Sequence, residues 1–254
     1  MKLPLKNPHP ESIVPEETRI NETVFEMRFR PNARILDRRG DWASRLADHM
    51  SLQHWHIRDN RIDVFSQARD IHCFVGFRNA GMVVLNAPTR NFFSDKVGRF
   101  LKWLFGEKEF EGNVSVGRLG VRGKFCTPYE GTFQSLSQRL AERYSPLTTE
   151  AQKALGDVEL IDIGLNLNFK DRLGSFNTGC GPMDTEQLKE FFPREEDLPE
   201  VGLFYDIDYF SNPTKALAPK DIITKTRGFA DAIWERHESV STLVLGESSD
   251  SSEA

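Results

Sequence analysis

Val24-Phe-Glu-Met-Arg-Phe-Arg30 is the stretch whose reading decides the fold of this chain. Apolar and charged residues alternate strictly, so Phe25, Met27 and Phe29 share one face of a β-strand while Glu26, Arg28 and Arg30 share the other. Such a strand buries one side and shows charge on the other, the pattern of an antiparallel sheet with one solvated face. Residues 114–125 repeat the grammar, with Leu119, Val121 and Phe125 alternating against Arg118, Arg122 and Lys124.

Outward from these strands, residues 33–50 read as one helix, with Trp42, Leu46 and Met50 at helical spacing. Strands are expected over 53–57, 61–67, 71–78 and 82–86, and Arg58-Asp-Asn-Arg61 and Asn79-Ala-Gly81 supply turn chemistry between them, which predicts an antiparallel meander. Residues 91–105 carry Phe93, Val97, Phe100, Leu101 and Leu104 along one face of an amphipathic helix that stops at Gly106. A helix over 132–144, strands over 158–169 and 201–209, and a last long helix over 221–238 complete the series. Gly179-Cys-Gly-Pro182 reads as a turn, and Arg194-Glu-Glu-Asp-Leu-Pro199 as an acidic linker.

Strand blocks separated by helices predict an α+β fold: an antiparallel meander with amphipathic helices on one face, divided into two related α/β subdomains. The expected boundaries are an extended proline-rich arm at 1–20, an N-terminal subdomain at 21–146, a C-terminal subdomain at 157–246 and a disordered acidic, serine-rich tail at 247–254.

Composition narrows the function classes. Hydrophobic residues at 39% and charged residues at 28% are ordinary for a globular domain, and nineteen Phe supply core volume. No apolar run approaches the roughly 18 residues of a membrane span, and the first residues lack a signal-peptide core, so the expectation is a cytoplasmic protein that does not use a membrane. Cys73, Cys126 and Cys180 are far apart and read as reduced packing residues. The net charge of −5 conceals polarity: residues 1–150 hold 23 Lys/Arg against 18 Asp/Glu, and residues 151–254 hold 10 against 20. That polarity suits a protein partner or head-to-tail self-association.

Three sets of residues compete as candidate sites. Arg28, Arg30, Arg118, Arg122 and Lys124 form a cationic surface for an anion or nucleic acid if the two basic strands are neighbours, since guanidinium forks suit phosphate. The plainer alternative is a solvated outer face with local ion pairs, Glu26 being an obvious partner. Phe25, Phe29 and Phe125 point away from that face, which leaves bases without stacking platforms from these two strands. Asp206 and Asp208 project to one side of a late strand and offer two hard oxygen ligands for Mg²⁺ or Mn²⁺, with Asp162 as a conceivable third, or else they pair with arginines. His54, His56 and His72 make a three-imidazole zinc site conceivable, although His-x-His in a strand is more often a polar outer face. Gly-x-x-x-x-Gly-Lys-Ser/Thr loops, Gly-x-Ser-x-Gly elbows and His-Glu-x-x-His helices do not occur, and Cys180 has no cationic neighbour in sequence to activate it.

The opening Val24-Phe-Glu-Met-Arg-Phe29 strand, the central Gly117-Arg-Leu-Gly-Val-Arg122 strand and the late Phe204-Tyr-Asp-Ile-Asp-Tyr-Phe210 strand together resemble a family of bacterial proteins of about this length, sporadically distributed among genomes and without an established activity. The resemblance runs from about residue 20 to about residue 240 and implies a shared α+β fold. Sporadic distribution implies an accessory system, such as antiphage defence or a toxin-antitoxin module. The resulting expectation is a non-enzymatic interaction component, a partner-binding or sensor subunit that needs no cofactor. The alternatives are a divalent-metal nuclease or phosphodiesterase using Asp206 and Asp208, and nucleic-acid binding through the arginine-faced strands.

Overall fold

The computed structural model describes residues 20–144, 153–154, 156 and 158–246. The strand quoted above, β1 (Ile20–Phe29), leads through α1 (Arg34–Asp37) and α2 (Arg39–Met50) to one edge of the sheet. From there β2 (His54–Ile57), β3 (Arg61–Phe65), β4 (Ile71–Gly76) and β5 (Asn79–Leu85) step back inward until β5 pairs with β1, and α3 (Arg90–Leu104) follows. The second half takes the same course. β6 (Val116–Pro128) leads through α4 (Phe133–Tyr144) to the far edge, and β7 (Leu165–Lys170), β8 (Ser175–Asp184) and β9 (Val201–Ser211) step back until β9 pairs with β6. A short helix α5 (Thr185–Phe191) interrupts the return, and α6 (Pro219–Leu245) ends the described chain.

The result is an α+β fold with an antiparallel nine-stranded sheet in the order β2-β3-β4-β5-β1-β6-β9-β8-β7. The two halves, β1 to α3 and β6 to α6, therefore share an order of elements and meet where β1 pairs with β6, while the pairing of β6 with β9 carries the same sheet from residues 21–144 into 158–246. The expected arm and tail lie outside the described residues, apart from Ile20, which opens β1.

Register at the centre sets the core. Phe25 is opposite Val121 on β6 and Met82 on β5, and Met27 is opposite Leu119. All five side chains are fully buried on the face that α2, α3, α4 and α6 cover. Burying such side chains is worth about 1.5–3 kcal/mol each. Trp42 of α2 packs edge-on against Trp103 of α3, and Phe125 packs against Trp234 of α6.

Several local expectations change in the structure. The helix expected over 33–50 is two helices, because Arg38 leaves helical geometry (φ −108°, ψ 12°) with its guanidinium bonded to Asp41 and Glu109. The turn between β4 and β5 is Phe77-Arg78, so Asn79-Ala-Gly81 opens β5. The strand expected over 158–169 begins only at Leu165, opposite Cys180; beyond that pair the neighbour runs into Pro182, which has no N–H to extend a ladder. Gly179-Cys-Gly-Pro182 is correspondingly strand, not turn. The stretch 185–191 is an unforeseen helix, opened by a capping box in which Asp184 accepts from the Gln187 N–H and Gln187 accepts from the Asp184 N–H. This α5 is the exception to helices on one face. Leu188 and the following Phe192 pack with Ile20, Cys126 and Phe204 as a second, smaller core on the opposite side of the sheet.

Gly81 lies directly opposite Glu26, with the Phe74 ring lying over it. A Cβ there meets the Phe25 carbonyl oxygen and the Phe74 ring closer than van der Waals contact allows. Gly81→Ala is expected to destabilise the fold by about 1–3 kcal/mol, read as a lower denaturant midpoint with an unchanged slope.

His237 of α6 stacks on Phe125 with ring centres 4.2 Å apart, and its Nε2 meets Thr127 Oγ1 at 3.1 Å. Its Nδ1 is sealed without a partner among the described residues, and burial pushes the imidazole pKa down to about 4. The folded state thus holds a neutral ring, whereas an unfolded histidine protonates near pH 6.5. Stability from this group is complete above about pH 6.5 and falls as pH drops towards 4, by up to about 3 kcal/mol. Thermal melts of His237→Gln across that range should be flatter than those of the parent.

Candidate binding face

Alternation that sends Phe25 and Met27 into the core sends their neighbours to the other face, and pairing of β1 with β6 and β9 lines those neighbours up in rows. Glu22 faces Lys124, and Lys124 faces Asp206; Arg122 faces Asp208 across the next rung. The sequence-predicted basic residues are therefore brought together, but each of the central four meets a carboxylate. Lys124 Nζ donates to Glu22 at 2.7 Å, Arg122 forks onto Asp206, Arg118 donates to Asp208 at 2.6 Å, and Arg28 donates to Glu26 at 2.8 Å. Burial alone raises the Glu26 pKa, but hydrogen bonds from Arg28 and Asn79 outweigh it and hold the carboxyl below its usual range. Arg30, exposed at the end of the row, has no ion pair among the described residues.

Asp206 and Asp208 do share a face, and both are engaged by arginine. Asp162 is not in the neighbouring strand: it precedes β7 and accepts the Ile163 N–H at 2.7 Å. Among the described residues no group of three His, Cys, Asp or Glu side chains is placed to hold a metal ion.

His54, His56 and His72 are brought to this same face, but around the Phe65 ring, with centroid distances of 5.7, 5.0 and 6.5 Å. Pairing explains it: Phe65 is opposite both His54 and His72. His72 Nε2 turns instead to Asp63, 2.9 Å away, which also accepts from Arg58 and Arg61. Asp63 is only 3% exposed; burial raises its pKa, but the His72 and Arg58 hydrogen bonds and the Arg61 charge together hold it below the usual value.

Aromatics of the charged face come from strands beyond the two basic ones. Phe65 and Phe74 lie there with Arg69 and Arg61 stacked over them at 5.2 and 5.4 Å, and Phe210 lies under Arg118 at 4.7 Å. The opposite orientation of Phe25, Phe29 and Phe125 thus describes their own strands and not the face as a whole. Sequence signals for the others existed in the alternation of Arg61-Ile-Asp-Val-Phe65 and Asp206-Ile-Asp-Tyr-Phe210, but strand order was needed to join them. The thiols take no part in these contacts. All three cysteines are buried, and burial pushes Cys126 and Cys180 up to about 12, which keeps them protonated.

One groove of about 250 Å³ opens on the face where the segment after α5 crosses the ends of β1, β4 and β5. Val83, Leu85, Phe191 and Phe192 supply its apolar lining, and Glu22, Arg69, His72, Arg194 and Glu195 its charged and titratable groups.

Burial separates the energetic roles of these charges. Asp63→Ala should destabilise by about 2 kcal/mol, because a sealed carboxylate that satisfies three cationic or imidazole donors is lost, whereas Arg122→Ala, where the arginine is half exposed to solvent, should cost about 1 kcal/mol or less. Equal losses in chemical denaturation would contradict that division. The chain matches no protein-family model and no curated protein.

Proposed function

We propose that the protein is a non-enzymatic interaction component, a partner-binding or sensor subunit of a bacterial accessory system whose chemistry is carried by another protein. The observation that carries this reading is the open sheet face: a broad, ordered array of cross-strand charge pairs with arginine-stacked aromatics, left uncovered by helices among the described residues except at one end. Paired charges of both signs give a surface that specifies a complementary protein surface more than it attracts a polyanion. The resemblance of the three strands to a sporadically distributed bacterial family supports the accessory-system part of the proposal.

A second reading, binding of single-stranded nucleic acid, draws on Phe65, Phe74 and Phe210 sharing a face with the arginines. The two readings separate in one experiment. Tagged protein captured from its native host after a moderate-salt wash should retain a stoichiometric protein partner, and Arg28→Glu with Arg30→Glu should release it. Capture of nucleic acid alone, with affinity falling steeply with salt and the slope shrinking by about one unit per arginine removed, would replace the first reading by the second.

A further inference from the structure

We propose that the groove beside α5 binds a small amphipathic anion: a flat apolar body carrying a carboxylate or phosphate. Its position is set by a difference between the halves in the last connection before the strand that closes each one. The β4–β5 connection is two residues, whereas the β8–β9 connection spans 185–200 and carries α5 across the open face. The segment after α5 is fastened to the first half at two points: Arg194 Nη1 donates to the Arg69 carbonyl at 2.9 Å, and Asn86 Nδ2 donates to Glu195.

Charge and backbone both single out this place. Arginines in the middle of the face are neutralised by carboxylates, but Arg69 and Arg194 form no ion pair among the described residues, although both line the groove. Arg69 is held by stacking on Phe65, which presents its guanidinium without a carboxylate to occupy it. The acidic residues in the lining are already engaged, Glu22 by Lys124 and Glu195 by Asn86. The lining balances Arg69 and Arg194 against Glu22 and Glu195, and with Glu22 paired to Lys124 from outside the lining the two guanidiniums stand above an apolar floor of Val83 and Leu85 with Phe191 beside it. Among the described residues, two of the three non-glycine residues with positive φ, Arg69 (59°) and Asn86 (49°), also line it. Backbone in this region costs free energy and is retained where surrounding contacts hold it. A volume of about 250 Å³ suits a ring-sized body, and charge-assisted hydrogen bonds from two guanidiniums suit its anionic end.

The test uses the whole chain and 8-anilinonaphthalene-1-sulfonate, an apolar anion whose fluorescence reports binding. Saturable binding of one probe per chain is expected, weakened about tenfold by Arg69→Ala and by Arg194→Ala. Lys102→Ala, exposed on α3 across the sheet, should leave it unchanged. Phenyl phosphate and phenylacetate as competitors then identify the preferred headgroup, and displacement by either supports the site. Unsaturable binding, equal affinity in all variants, or equal binding of the neutral dye Nile red would overturn it. Arg69 and Arg194 are exposed, and matching thermal melts of the variants establish that a lost signal is not a lost fold. The site stands apart from the partner-binding proposal, since probe binding and partner capture succeed or fail independently.

Discussion

Everything in this molecule hangs on the antiparallel pairing of β1 with β6. Side chains alternate with a period of two, so placing Phe25 opposite Val121 commits every other residue of both strands to a face. A slip of one residue would drive Arg122 and Lys124 into the core. The burial of Phe25, Met27, Leu119 and Val121 enforces the register, and the remaining strands add outward from it in two similar halves. Because the central pair is antiparallel, the halves run in opposite senses and their helices collect on one side, where α3 meets α6.

The same constraint builds the charged face. Opposite charges on adjacent strands fall within reach of one another, so the rows from Glu22 through Lys124 to Asp206 and from Arg122 to Asp208 follow from register. Partly exposed pairs of this sort contribute modestly to stability. Their effect is one of pattern, because they fix the orientation of long side chains that would otherwise move freely in solvent. Asp63 is different in kind: it is buried on the same face, and its three donors keep a sealed carboxylate charged.

Asymmetry between the halves gives the face a groove. Where the first half turns in two residues, the second inserts α5, whose Leu188 with the adjoining Phe192 seals the sheet end against Ile20 and Phe204. The chain then crosses to Arg69 and Asn86 before entering β9, leaving two guanidiniums without carboxylate partners among the described residues over an apolar floor. No helix among the described residues is long and apolar enough to cross a membrane.

Local pattern by itself determined the strands with strict alternation and the strongly amphipathic helices, and with them the α+β class; Val24 to Arg30 and the helix around Phe93 to Leu104 show both periods openly. It did not determine β8, because Gly179-Cys-Gly-Pro182 carries turn residues that the strand tolerates beside β9, nor α5, whose seven residues are too short to show a period. The five basic residues and the two aspartates were legible as outward-facing, since that needs only alternation. Tertiary structure alone decided that they neutralise one another, that Phe65, Phe74 and Phe210 share their face, and that Arg69 and Arg194, 125 residues apart in sequence, meet at a groove. The reason is physical: alternation states which side of a strand a residue occupies, whereas strand order, set by burial of the whole apolar face at once, states what stands beside it.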